Sequence, residues 1–279
     1  MRQMPQKTIL ITGCSSGIGL YCARALLATS RWRVFAAARK PEDAAKLRAE
    51  GFDSPLLDLA DATSVSAAAA EVLEKTNGKL DALFNNGAYA IPGAVEDISR
   101  DALRTQFETN VFGWLQLTNS IIPSMRQNNG GRIIQNSSVL GYVALKYRGA
   151  YNASKYAIEG LTDTMRLELA GSGIRLILIE PGPVRSRFRE NATAQYHKWI
   201  NRDGSIHRDK YLQMETAWQN GKEMVFTLPP DAVWRALRHS LEARSPKLRY
   251  RITIPAKVFW YLKRMLPTSA LDSILRLAG

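Results

Sequence analysis

Between residue 8 and about residue 186, short apolar runs alternate with segments of helical composition, and this alternation limits the fold more than any other feature. Residues 8–12 form the first run and stop at a glycine-rich turn; 33–38, 56–59, 80–85, 132–135 and 175–179 are the next five. Helical segments lie between them at 18–30, 41–50, 63–76, 102–126 and 150–169, the second opening on Pro41, whose fixed φ suits a first helical turn. Strands separated by helices need long crossovers, and right-handed crossovers lay them parallel in one sheet with helices on both faces. The pattern predicts an α/β fold with a single doubly wound parallel sheet. It predicts one domain over residues 1–279, its core at 8–186.

Past Pro183 the alternation stops. Residues 187–228 are polar, basic and aromatic, and are expected to form a substrate lid of weak regularity. Its aromatic residues, Phe188, Tyr196, Trp199, Tyr211, Trp218 and Phe226, together with Met214 and Met224, either line an apolar lid or pack it onto the domain. A helix at 229–242, a last strand at 250–254 and a basic amphipathic tail helix at 257–266 complete the chain.

The net charge of +13 is uneven. Residues 1–184 hold 20 Lys and Arg against 17 Asp and Glu, whereas residues 185–279 hold 18 against 8. Between Val233 and Arg264 there are nine Lys or Arg and one acid, Glu242. Aromatic and basic residues interleaved on the tail helix suit peripheral contact with an anionic membrane, with a helix packed on the domain or on another subunit as the alternative. No reading helix or aromatic RNA motif accompanies the charge, so nucleic acid is not expected as a partner. No apolar run approaches the ~20 residues that span a bilayer. Two cysteines, Cys14 and Cys22, and an amino-terminal stretch without an apolar signal segment suggest a reducing, cytoplasmic setting, with the inner face of a membrane as the alternative. His197, His207 and His239 cluster neither with each other nor with the cysteines, so neither a metal site nor a Ser-His-Asp triad is expected.

The turn after the first strand reads Thr12-Gly13-Cys14-Ser15-Ser16-Gly17-Ile18-Gly19. Glycines let the backbone approach a pyrophosphate, and a helix N-terminus offers free N–H groups and the positive end of a dipole. A glycine turn alone is weak; one between the first strand and first helix of a βαβ unit points to a Rossmann-type dinucleotide site. Ala38-Arg39-Lys40 follows the second strand, where an acid would accept the 2′-hydroxyl of NAD. Two cations there suit a 2′-phosphate, which favours NADP(H) over NAD(H).

Tyr151 and Lys155, four residues apart, share one helix face. A free tyrosine has a pKa of about 10, and a neighbouring ammonium lowers it toward the range useful for proton transfer. Ser138 stands thirteen residues before Tyr151, and Asn110 lies in the long preceding helix. With these residues the chain resembles the short-chain dehydrogenase/reductase family. The matching pieces are Thr12–Gly19, Asp58, Asn85-Asn86-Gly87-Ala88, Asn110, Ser138, Tyr151-Asn152-Ala153-Ser154-Lys155 and Pro181-Gly182-Pro183-Val184, in the family's order.

The resemblance implies roles. Tyr151 exchanges the proton, Ser138 hydrogen-bonds the reacting oxygen, Lys155 binds the nicotinamide ribose and acidifies the tyrosine, and Asn110 holds a relay water. Gly13, Ser15, Ser16, Gly17, Ile18 and Gly19 cradle the cofactor, and Asp58 and Leu59 lie at the adenine. Asn85, Pro181, Gly182, Val184 and Ser186 border the cofactor, the last at its nicotinamide end. Where the family usually has Asn-Asn-Ala-Gly, this chain has Gly87-Ala88, putting alanine where glycine's freedom is usual. The look of the chain is that of the branch with 17β-hydroxysteroid dehydrogenases, retinal reductases and bacterial NADP-dependent aldehyde reductases. That implies reduction of a lipophilic carbonyl, with a homodimer or tetramer as the assembly. Oxidation of an alcohol or hydroxysteroid, and a non-catalytic NADP-binding regulator, are the alternatives.

Overall fold

β1 (Lys7–Ile11) buries its last three side chains, Ile9, Leu10 and Ile11, on alternate faces, so it needs cover on both sides. A computed structural model of the chain describes residues 6–221 and 225–278 and supplies that cover. β2 (Trp32–Ala36), β3 (Ala82–Asn85), β4 (Gly131–Asn136), β5 (Ile174–Glu180) and β6 (Arg249–Arg251) join β1 in a six-stranded sheet, ordered β2-β1-β3-β4-β5-β6, with every pair parallel. Along β5 the side chains alternate between two cores. Leu176 and Leu178 enter one with Trp114, Ile121 and Ile158; Ile177 and Ile179 enter the other with Ala23 and Leu237. This is the doubly wound fold expected from the alternation.

α1 (Gly17–Leu27) leads from β1 to β2, and α2 (Pro41–Ala49) and α3 (Ala62–Lys75) lead to β3 on the other side of β1. The winding therefore reverses between β1 and β3. Ligands of open parallel sheets bind in that crevice, at the carboxyl ends of the strands.

Four expectations change. Residues 56–59 form no strand. Pro55 has no N–H to give, Leu57 donates once to the Ala38 carbonyl (3.0 Å), and the chain turns away at Asp58, whose Oδ1 accepts from Ala60 N (3.0 Å). The single helix expected over 102–126 is α4 (Arg100–Phe107), a π turn (Glu108–Phe112) and α5 (Gly113–Gln127). The lid is regular: α7 (Phe188–Trp199) and α8 (Arg208–Gln219) hold it, and backbone bonds between Leu228 and both Pro183 and Arg185 close its base. The tail is two helices, α10 (Ile254–Met265) and α11 (Thr268–Ala278), parted where Leu266 adopts the extended backbone favoured before Pro267. α6 (Gly149–Glu168) and α9 (Asp231–Glu242) lie close to expectation, and the last strand is only Arg249–Arg251.

Candidate active site

α6 carries Tyr151 and Lys155 in its first turns, and Ser138 stands two residues past the end of β4. Ser138 caps a short 3₁₀ turn (Val139–Gly141), its Oγ accepting from Leu140 N at 3.1 Å. Asn152 ties that turn to α6 by donating to the carbonyls of Leu140 (2.9 Å) and Val143 (2.7 Å). Ser138 thereby meets Tyr151 closely enough for its hydroxyl to act on the phenol. Both are buried, each 8% exposed.

The electrostatics differ from the sequence expectation. Burial pushes the Tyr151 phenol well above the usual tyrosine range, and the Ser138 hydroxyl opposes this only in part. Lys155 is not among the groups acting on the phenol. Its ammonium lies 5.6 Å from the Tyr151 ring centre, donates to the Asn136 carbonyl (2.8 Å), and stands 4.2 Å from the centre of the Trp114 ring. Burial draws the Lys155 pKa down to about 7, with Glu159 pulling the other way. The resting site thus holds a protonated phenol beside an amine that exchanges protons near neutrality.

Asn110 sits in the π turn with no exposed surface. Its amide donates to the Tyr89 carbonyl (2.9 Å) and to Ser154 Oγ (3.1 Å), and its Oδ1 accepts from Tyr89 N (3.2 Å). Both amide hydrogens are thus used in holding α6 to the turn after β3, and the Oδ1 keeps one acceptor position beyond the Tyr89 N–H.

The glycine loop closes on that same turn. Gly13 has φ +71°, and a Cβ there would meet the Gly87 Cα at 2.6 Å. A Cβ on Gly87 would stand 3.2 Å from the Gly13 nitrogen and from Leu59 Cδ1, so glycine at 87 eases this approach. Ala88 does not take a positive φ, and the Gly87-Ala88 order therefore does not strain the loop. α1 begins without a side-chain cap, at Ser16, and without an acid in its first turn. Its N–H groups are accordingly suited to a phosphate. Gly17, also left-handed, lies so near Ser186 that a Cβ would come within 3.0 Å of the serine Cβ. The segment from Pro181 through Gly182 and Val184 to Ser186 thus folds over the loop, and the Pro181 carbonyl accepts from Val139 N (2.8 Å). Arg39 and Lys40 are exposed past β2. Arg39 and Asp58 both act electrostatically on the Tyr89 hydroxyl. Glycines in positive φ, an uncapped helix start and cations beyond β2 fit a dinucleotide.

Asn85 is fully buried and donates to Thr118 Oγ1 of α5 (2.9 Å). Asn86 lies at the loop, donating to the Thr12 carbonyl (3.0 Å) and accepting from Asn136 Nδ2 (2.9 Å). Thr12 Oγ1 accepts from the backbone N–H groups of Asn86 (2.9 Å) and Gly87 (2.8 Å). Thr12, Asn86 and Trp114 were not singled out as site residues from the sequence. The first two lay inside matched motifs; nothing local distinguishes Trp114, whose indole donates to the Gly87 carbonyl (2.7 Å). Cys14 is a buried loop residue whose thiol burial pushes up strongly.

Of the lid aromatics, Phe188 packs edge-on against Tyr151, ring centres 5.3 Å apart. Tyr196, Tyr211 and Trp218 instead pack the lid onto the domain with Ala94 and Ile98, joined by Met214. Phe226 is half exposed, and Met224 lies outside the described residues.

A family model for short chain dehydrogenases matches residues 7–197. The chain belongs to the short-chain dehydrogenase family. It is 40% identical over 272 residues to the uncharacterized oxidoreductase YbbO of Escherichia coli K12, covering 97% of this chain and 94% of that one. It is 31% identical to human 17-beta-hydroxysteroid dehydrogenase type 1, covering 90% and 78%. A crystal structure of a short-chain dehydrogenase from Streptomyces avermitilis superposes with a TM-score of 0.74 at 27% identity, over 98% of this chain and 94% of the other. This member of the family is accordingly an oxidoreductase of the NAD(P)-binding type.

Proposed function

We propose that this oxidoreductase reduces a lipophilic aldehyde or ketone to its alcohol and takes NADP(H) in preference to NAD(H). The observation that carries the reading is the protonated, buried Tyr151 phenol beside Ser138. A neutral phenol is the form that donates a proton, which is what carbonyl reduction asks of it. The surrounding wall, with Val139, Leu140, Tyr142, Phe188 and Phe259, is apolar and suits a lipophilic group. The steroid in the name of the human relative is consistent with that class.

When bound, NADPH supplies the hydride to the carbonyl carbon. Gly13, the start of α1 and Ser186 would hold it, with Arg39 and Lys40 at the 2′-phosphate. The chain's own work is at the oxygen. Ser138 donates to it, and Tyr151 passes its proton to it as negative charge develops, giving the alcohol. The phenolate left behind regains a proton from solvent through the open site, and the Lys155 amine, held at the Asn136 carbonyl and 5.6 Å from the Tyr151 ring centre, steadies it meanwhile in its charged form.

The assay measures oxidation of NADPH and NADH by purified protein against aldehydes, ketosteroids and retinal. Turnover is expected with NADPH, and Tyr151→Phe should lower kcat by about 10²–10⁴ while NADPH binding persists. Wild-type protein that binds NADPH but oxidises it with no carbonyl would overturn the reading in favour of a non-catalytic binding protein.

Self-association is part of the proposal. α4, the π turn after it and α6 expose Leu103, Phe112, Tyr156 and Leu167, the last 78% exposed, a face suited to a homodimer or, with a second interface, a tetramer. Light scattering on eluted protein should give a mass of two or four chains.

A further inference from the structure

α10 has two apolar faces, and only one is covered. Inward, Phe259, Trp260 and Leu262 pack in the same cluster as Tyr151 and Phe188, so the helix forms part of the wall of the carbonyl site. Outward, Ile254, Val258, Tyr261 and Met265 are 60%, 46%, 64% and 77% exposed. At 100° per residue these four fall within an arc of about 60°, one continuous stripe along the helix. Such a stripe on a short amphipathic helix calls for an apolar partner.

The charge around the stripe says which partner. No Asp or Glu occurs between residues 243 and 271. Lys257 is exposed on α10 beside the stripe, and Lys247 is exposed just before β6. Beside the stripe runs a groove of about 350 Å³ lined by Lys247, Arg249, Arg251, Lys257 and Tyr261. Apolar side chains next to a cationic groove match the acyl–headgroup boundary of an anionic bilayer. A second copy of the chain would bring Lys247 and Lys257, which no carboxylate among the described residues pairs, against themselves, while Arg249 and Arg251 are already answered by Glu159, Asp163 and Glu180. Among the described residues no helix is long and apolar enough to cross a membrane, so the contact is peripheral.

We propose that the outer face of α10, with the basic groove beside it, docks this protein on anionic lipid. Docking lays one wall of the reduction site against the bilayer, where a lipophilic carbonyl is concentrated. The inference goes beyond the proposed reaction, and its test needs no turnover.

The test is flotation of the full chain with vesicles of phosphatidylcholine alone or mixed with phosphatidylglycerol. Wild-type protein should float with the mixed vesicles and bind neutral ones at least about tenfold more weakly. Val258→Glu/Tyr261→Glu removes the stripe and Lys247→Glu/Lys257→Glu removes the cations. Each pair should abolish flotation while leaving reduction of a water-soluble aldehyde unchanged. The proposal fails if wild type does not float, if it binds neutral and anionic vesicles alike, or if neither pair alters flotation. It fails equally if the stripe variant changes the oligomeric mass and not the flotation, which would assign the face to a second copy.

Discussion

Lys155 carries its charge where water cannot reach it. The side chain is 1% exposed, and the amine has the Asn136 carbonyl and the Trp114 face in place of a hydration shell. The folded chain therefore holds this proton only below about 7, whereas the unfolded chain holds it to about 10.5. Below 7 both states are protonated and the full desolvation cost stands; between 7 and 10.5 the unfolded chain binds more protons, so this group's contribution to stability rises with pH. Lys155→Met should abolish reduction yet stabilise the fold by about 2 kcal/mol at neutral pH, the gain fading toward pH ~10. Denaturant melts at the two pH values check it, and a gain that does not shrink would refute the desolvation account. Arg39 and Lys40 invite the opposite kind of test, since they are exposed and their removal leaves the fold intact. Arg39→Ala/Lys40→Ala should cost kcat/KM with NADPH about 10- to 100-fold and leave the value with NADH nearly unchanged. Equal losses with both cofactors would remove the 2′-phosphate from the argument.

At the scale of elements, the π turn between α4 and α5 matters most. Its extra residue is invisible in a hydrophobic period, so the sequence predicts one unbroken helix. The turn presents Asn110 to Tyr89 on one side and Ser154 on the other, and Ser154 Oγ in turn donates to the Tyr151 carbonyl (2.8 Å). Asn110→Leu leaves the Tyr89 N–H and the Ser154 hydroxyl short of a partner. It should cost about 2–3 kcal/mol in a melt and lower kcat more than it raises KM, because it loosens α6 under Tyr151. A variant with normal kcat would make the residue a fold support only. The strands, the glycine loop and the Tyr151–Lys155 pair were legible because each is a local pattern: apolar runs, turn glycines, a four-residue spacing. What was not legible depends on partners distant in the chain. The sequence leaves open whether Tyr196 and Tyr211 line the lid or pack it down, and only the folded chain pairs them with Ala94 and Ile98. Phe188 reaches Tyr151 for the same reason. Residues 56–59 have a strand's composition, yet Pro55 and the Asp58 turn deny them a ladder.

Across the whole molecule, the basic carboxyl-terminal third is anchored by acids from the first two-thirds. Arg249 of β6 pairs with Glu159 and Asp163 of α6 and with Glu180 of β5, and Arg251 joins Glu180 at 3.1 Å. Trp260 of α10 lies between the guanidinium groups of Arg251 and Arg264, 3.4 and 3.0 Å from its ring centre. Arg249, 5.6 Å from the same ring centre, therefore couples the last strand and the tail to the helix that bears Tyr151. The pairing is over-subscribed: Glu180 has no exposed surface, and burial together with Glu180 raises Glu159 to about 7 although Arg249 opposes it. The folded chain thus keeps a proton on Glu159 up to about 7 that the unfolded chain loses near 4.5, so this group's contribution to stability falls as pH rises through that window. Removing the guanidinium widens the window by raising both buried acids further. Arg249→Met should accordingly cost about 3–5 kcal/mol at neutral pH, and less near pH ~5, where the orphaned carboxyls can protonate. Thermal melts of the two proteins at both pH values read the difference. A deficit independent of pH would mean that Arg249 holds the tail by packing alone. A deficit that closes on acidification would mean that the tail is held by charge, and by acids from α6 and β5 that no reading of the basic third in isolation could have supplied.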